Sequence, residues 1–156
     1  MDALTNVLAQ DNCPIQNLFI DWNPIYTDEF QGGTPDAGDN ARYTPEEEEP
    51  SPWATLVAEA KRVQVLFLRH SGLTDRDFKE ICHNLKPESG AHQNKNIKVL
   101  DLSYNSFTPD LVCEEINSVL EQNRSLEYLG LAKMGLEAHH ITGFLDHLGR
   151  VPFPAD

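Results

Sequence analysis

The apolar residues of the chain fall into one recurring register. It reads Ile15-x-x-Leu18-x-Ile20-x-x-Asn23-x-Ile25, then Val63-x-x-Leu66-x-Leu68-x-x-Ser71-x-Leu73. The third and fourth copies are Ile97-x-x-Leu100-x-Leu102-x-x-Asn105-x-Phe107 and Leu126-x-x-Leu129-x-Leu131-x-x-Met134-x-Leu136. The centre of each copy alternates with period two, so Leu18/Ile20, Leu66/Leu68, Leu100/Leu102 and Leu129/Leu131 point inward from four short strands. Between the copies the period lengthens to that of a helix. Trp53, Leu56, Val57 and Ala60 fall at i, i+3, i+4 and i+7, as do Phe78, Ile81, Cys82 and Leu85, which makes one apolar stripe on each of two helices. Val112, Ile116, Val119 and Leu120 predict a third stripe, and Ile141, Leu145 and Leu148 a fourth. Ala3 to Gln10, with Leu4, Val7 and Leu8, reads as a further helix ahead of the first strand.

Helix start signals agree with this division. Ser51-Pro52 and Thr108-Pro109 place a hydroxyl at the N-cap and proline at the first helical position, and Thr74 with Asp77 makes a capping-box arrangement. Strand and helix alternating in short units predict an α/β solenoid of parallel strands with helices on one side.

The register resembles the leucine-rich repeat, L-x-x-L-x-L-x-x-N-x-L. The 29-residue spacing from Ile97 to Leu126 is similar to that of the ribonuclease-inhibitor-like subfamily. The resemblance implies one domain over residues 1–156, with about four right-handed repeats, strands on the concave face and helices on the convex face. It also implies a structural asparagine ladder between coils, held by Asn23 and Asn105, with Ser71 and Met134 standing where the other two asparagines belong. Repeats of this kind bury their neighbours' flanks, so neighbouring repeats or partner subunits are expected to cover the ends.

Two spacings are too long. Ile15 to Val63 spans 48 residues and Val63 to Ile97 spans 34, excesses of 19 and 5 over the 29-residue period. The larger excess, Tyr26 to Pro50, holds eight acidic residues, one basic residue (Arg42), three glycines and three prolines, which predicts a flexible acidic insertion within the first repeat. The acidic run Glu46 to Glu49 is a solvated loop in one reading and an electrostatic contact for a basic partner in the other. Thr34, Thr44 and Ser51 each precede proline and read as accessible hydroxyls open to phosphorylation. The shorter excess, Pro87 to Asn96, reads as a lengthened helix-to-strand loop.

Charge then narrows the function classes. With 12 Lys and Arg against 25 Asp and Glu the net charge is −13, which disfavours nucleic acid and anionic membranes as partners. No apolar run approaches the ~20 residues needed to cross a bilayer. Cys13, Cys82 and Cys113 are odd in number and irregular in spacing, so no disulfide framework is expected and a reducing, cytoplasmic setting fits best. Small hydrophobic packing is their expected role.

Catalytic motifs are absent from the sequence: no phosphate loop, no nucleophile elbow, no H-E-x-x-H zinc site. No catalytic residue, cofactor or metal site is therefore expected. His139, His140 and His147 share the last predicted helix with Asp146, but a metal site needs a tighter pair and a third ligand, so a solvated or satisfied helix face is the preferred reading.

The remaining signal lies on the strand faces. With the leucines inward, alternate positions form the concave surface: Asn17, Phe19, Asp21 and Trp22, then Val65, Phe67, Arg69 and His70. The next rows are Val99, Asp101, Ser103 and Tyr104, then Tyr128, Gly130, Ala132 and Lys133. Phe19, Trp22, Val65, Phe67, Arg69, Tyr104 and Tyr128 are the candidate partner-binding residues, because exposed aromatics with arginine carry most of the binding energy in interfaces. The alternative is that the long insertion or neighbouring repeats cover the patch. The expected function is a non-enzymatic interaction or scaffold module for a protein partner. The family resemblance implies inhibitors, adaptors and structural parts of cytoskeletal or axonemal (cilium) assemblies. A regulator of a GTPase, such as a GTPase activator built on this repeat type, is the alternative from another class.

Overall fold

In the computed structural model, residues 1–23, 50–87 and 93–150 are described. Most of the acidic insertion lies outside them, as do Thr34 and Thr44. The elements alternate as expected: α1 (Asp2–Leu8), β1 (Asn17–Phe19), α2 (Pro52–Glu59), β2 (Val65–Phe67), α3 (Asp75–Asn84), β3 (Val99–Asp101), α4 (Pro109–Gln122), β4 (Tyr128–Gly130) and α5 (Ala138–Leu148). The four strands form one parallel sheet in chain order, and Leu18, Leu66, Leu100 and Leu129 stand opposite one another in its register. The fold is a leucine-rich repeat solenoid.

Burial follows the repeat. Val63, Leu66, Leu68, Ile97 and Leu102 are fully buried with Leu56, Val57, Phe78 and Ile81 from the helices, while Ile15, Leu18, Ile20, Leu126, Leu129 and Leu131 are partly buried against that core. The inner two coils thus supply the fully buried strand leucines and the outer two the partly buried ones. Cys82 lies in this core, and burial pushes its thiol well above the ordinary cysteine range.

The bends after the strands carry backbone groups into the core, where they need partners. Asn105 supplies four bonds from one side chain. Its amide nitrogen donates to Leu68 O at 2.9 Å and Leu102 O at 2.8 Å, and its oxygen accepts from Ser71 N at 3.0 Å and Leu73 N at 3.4 Å. Ser71 reaches the equivalent carbonyl one coil earlier, donating to Ile20 O at 2.9 Å. Asn23 is exposed and donates to Asp21 O in its own coil.

A second set of amides, invisible in the repeat consensus, performs the same task at the helix ends. Asn94 donates to Val57 O and Ala60 O and accepts from Asn96 N and Ile97 N, joining the end of α2 to the approach to β3. Asn123 donates to Leu85 O and accepts from Ser125 N and Leu126 N one coil later.

Three expectations about the helices are corrected. Ser51 is not an accessible hydroxyl: it is 4% exposed, caps α2 through Trp53 N and Ala54 N, and its own groups donate to Glu80 and Asp77 of α3. Thr108 precedes α4 as expected, but its hydroxyl donates to Asp75 Oδ2 at 2.6 Å instead of capping its own helix, because the first turn of α3 presents that carboxylate. The predicted apolar stripe of α5 is not its buried face. Ile141, Leu145 and Leu148 are exposed, whereas His140 and Phe144 are buried. His140 Nδ1 accepts from Glu137 N at 3.0 Å and its Nε2 lies 3.4 Å from Asp110 Oδ1, so the capping box and α4 together rotate α5 by about one residue from the expected face.

Two outcomes follow from this packing. Leu100→Asp should abolish cooperative folding, since an unpaired carboxylate in the shared core costs several kcal/mol against a total stability of ~5–15 kcal/mol; a wild-type circular dichroism melt would contradict the register. Asn105→Ala should lower stability by about 3 kcal/mol or more, because it strands buried backbone donors and acceptors. Asn105→Ser should recover part of that loss by making the single bond that Ser71 makes, and urea denaturation of the two variants checks the order.

Candidate interaction surface

The sheet turns its leucines to the helices and its alternate residues outward, in four files that cross the coils. Asn17, Val65, Val99 and Tyr128 share one register position, and Phe19, Phe67, Asp101 and Gly130 the next. Phe19 and Phe67 meet edge to face with ring centroids 4.9 Å apart and planes at 76°. Such a geometry sets the positive edge of one ring against the negative face of the other. Phe19 is 60% exposed and Tyr128 53%, whereas Val65 and Phe67 are half-buried.

Asp101 and Ser103 were expected on the open surface, yet both are buried. The Asp101 carboxylate accepts from Ser103 N at 3.0 Å and lies over Gly130, where an added Cβ would fall 2.3 Å from Asp101 Oδ1. Glycine in β4 therefore makes room for a carboxylate from β3. Ser103 Oγ in turn accepts from Ala132 N at 2.9 Å. These two polar residues serve the sheet, so the apolar part of the surface is concentrated on β1 and β2.

Arg69 is held in place. Its Nη2 lies 2.6 Å and its Nε 3.1 Å from Asp21 Oδ2, while Asp21 Oδ1 accepts from the Arg69 backbone N–H at 2.9 Å. The hydrogen bond to Asp21 raises the guanidinium pKa above its ordinary value against a smaller opposing effect of burial. The guanidinium also sits 5.0 Å from the centroid of the Phe67 ring. A bonded, stacked arginine presents a fixed edge to a partner and loses little freedom on binding.

The fourth file follows the strands. Trp22, His70, Tyr104 and Lys133 occupy the same position in successive coils, and all four are non-glycine residues with φ of 61°, 51°, 64° and 58°. Left-handed backbone costs roughly 1–2 kcal/mol for a residue with a Cβ, and bulky side chains there are unusual. Sheet-like bonds carry this strained file from coil to coil: Trp22 N donates to Arg69 O, His70 N to Ser103 O and Tyr104 N to Ala132 O, at 2.8–3.1 Å. The Trp22 ring lies 4.4 Å from His70 and 6.0 Å from Tyr104, centroid to centroid. Trp22 is 61% and Tyr104 44% exposed. His70 was a facing residue in the sequence pattern but not a candidate; its place one residue before the Asn23/Ser71/Asn105/Met134 position was the available signal.

The structure therefore brings Phe19, Trp22, Val65, Phe67, Arg69 and Tyr104 onto neighbouring positions of the first three coils, with Tyr128 on the fourth strand. Elsewhere the chemistry is sparse. The His139 and His140 rings lie tilted with centroids 3.8 Å apart, and His147 lies 3.3 Å from Glu121 without hydrogen-bond geometry. No cluster of three metal-binding side chains occurs among the described residues, nor is any described helix long and apolar enough to cross a membrane.

No protein-family model matches the chain, and neither does any curated protein sequence. Among solved structures, the chain is similar to the tropomodulin C-terminal domain of Caenorhabditis elegans, with 14% sequence identity and a TM-score of 0.52 over 96% of this chain and 91% of that one. At that identity the likeness is one of fold, and it agrees with the leucine-rich repeat architecture seen in the strands and helices.

Proposed function

We propose that this chain is a non-enzymatic interaction module of the ribonuclease-inhibitor-like repeat type, which binds a partner protein through the concave face of its sheet. The observation that carries the reading is the set of large exposed aromatics, Phe19, Trp22, Tyr104 and Tyr128, standing on a hydrogen-bonded sheet beside an immobilised arginine. Exposed aromatic clusters rimmed by polar groups are what interfaces desolvate. The net charge of −13 favours a partner with a basic surface, since opposite potentials speed encounter. The 29-residue period and the 14-residue helix α4 support the subfamily. A structural role in a cytoskeletal or axonemal assembly rests on the repeat resemblance. Nothing on the surface favours the GTPase-regulating alternative over this one.

A photo-crosslinking side chain placed at Tyr128 should capture the partner in native extract, and one placed at Glu114 on the exposed side of α4 should not. Phe67→Ala should then weaken binding to the captured partner by on the order of 2 kcal/mol, with the melting temperature lowered by only a few degrees through the lost contact with Phe19. A lowered melting temperature with intact binding would instead make the patch part of the core.

A further inference from the structure

The file Trp22, His70, Tyr104 and Lys133 poses a question that the fold does not answer. Asparagine or glycine would occupy left-handed backbone with less strain, yet three of the four coils place an aromatic ring there, and the rings touch. Their backbone bonds to the next coil are made by the main chain and do not depend on side-chain type. The rings meet within the file and His70 Nδ1 lies 3.3 Å from Tyr104 O, yet Trp22 and Tyr104 keep 61% and 44% of their surface exposed, which leaves ring area for contact with something outside the chain.

We propose that this file is a docking site for an extended, arginine-bearing basic segment of a partner protein. The inference rests on the interaction-module reading and names the chemistry that the surface recognises. Three observations carry it. Trp22 and Tyr104 are exposed beyond their contacts with His70 and with each other, and an aromatic face attracts a cation through its quadrupole. The chain carries 13 more acidic than basic residues, so its long-range field draws basic segments and repels acidic ones. The surface also contains the contact in miniature: Arg69 lies over the Phe67 ring while Asp21 binds its edge.

Local charge defines the register of the segment. Asp21 is engaged by Arg69, Asp101 is buried against Ser103, and Lys133 closes the fourth coil with a positive charge. The guanidinium is thus recognised over Trp22, His70 and Tyr104 and repelled at Lys133. Arginine is preferred to lysine because its planar, weakly hydrated guanidinium stacks on a ring, whereas an ammonium keeps its water.

Trp22 reports on the site directly. The chain has two tryptophans, and Trp53 is 3% exposed, so a ligand on the file perturbs the emission of Trp22 alone. Acetylated Arg-Gly and Lys-Gly repeat peptides of about eight residues would be titrated into the full chain at about 150 mM salt, where exposed long-range charge effects are largely screened. The expected result is a saturable change in Trp22 emission with the arginine peptide and at least about fivefold weaker binding of the lysine peptide.

Trp22→Asn and Tyr104→Asn tolerate the left-handed backbone, so the melting temperature should hold. Calorimetry should then show about fivefold loss of arginine-peptide affinity in each variant. Equal binding of the two peptides, insensitive to both substitutions, would reduce the effect to diffuse charge attraction and overturn the proposal. Absence of binding by the arginine peptide up to millimolar concentration would overturn it too. Either failure leaves capture of a partner at Tyr128 and its dependence on Phe67 as separate results, so the broader reading stands or falls by itself.

Discussion

The solenoid depends on satisfying backbone groups that its own bends carry into the core. A strand of three residues followed by a turn toward a helix buries N–H and C=O groups that the parallel ladder does not reach, and each group left unpaired would cost about 1–3 kcal/mol. Asn105 answers four such groups at the strand ends, and Asn94 and Asn123 answer the corresponding groups at the helix ends. With those bonds in place the leucines of adjacent coils meet in register. The sheet is then rigid enough for its outer face to be spent on something other than packing.

That outer face divides into two kinds of residue. Asp101 and Ser103 have turned inward to bond the sheet, and Gly130 has given up its side chain to admit a carboxylate. Of the remaining positions on the first three coils, Phe19, Trp22, Phe67, His70 and Tyr104 carry rings, and Arg69 is fixed between Asp21 and Phe67. Strain at Trp22, His70 and Tyr104 is borne by the same lateral bonds that stabilise the coils. Stability generated by the asparagine amides and leucines thus supports a surface whose local choices work against stability.

Much of this architecture was legible because leucine spacing reports which way a strand faces. Leu66, Leu100 and their partners needed no further information to be placed, nor did the Thr74–Asp77 capping box. The misplaced features depend on contacts between coils. Ser51 looks like an exposed hydroxyl before proline until Asp77 and Glu80, 26 and 29 residues later, close over it. In α5 the Ile141/Leu145/Leu148 stripe and the His140/Phe144 line differ by one residue, and the second is the buried one, with His140 Nδ1 accepting from Glu137 N at the helix start. Asn12, Asn94 and Asn123 each precede an apolar strand entry by three residues, a spacing visible in the chain but unremarked without a structure to show what Asn94 and Asn123 hold. The left-handed positions were hidden because three rings and a lysine occupy them where glycine or asparagine would have given them away.

Everything proposed for the aromatic face requires it to be open to solvent in the full chain, including the acidic stretch that follows Asn23. Acrylamide quenching of the two tryptophans tests it most directly, since Trp53 is buried and serves as the internal reference. Two populations are expected, one quenched about as readily as a free indole and assigned by Trp22→Asn, the other protected. Protection of both tryptophans in the full chain, with exposure of Trp22 appearing on removal of residues between Asn23 and Pro50, would show that the chain covers its own surface and that the aromatic face is not a free binding site.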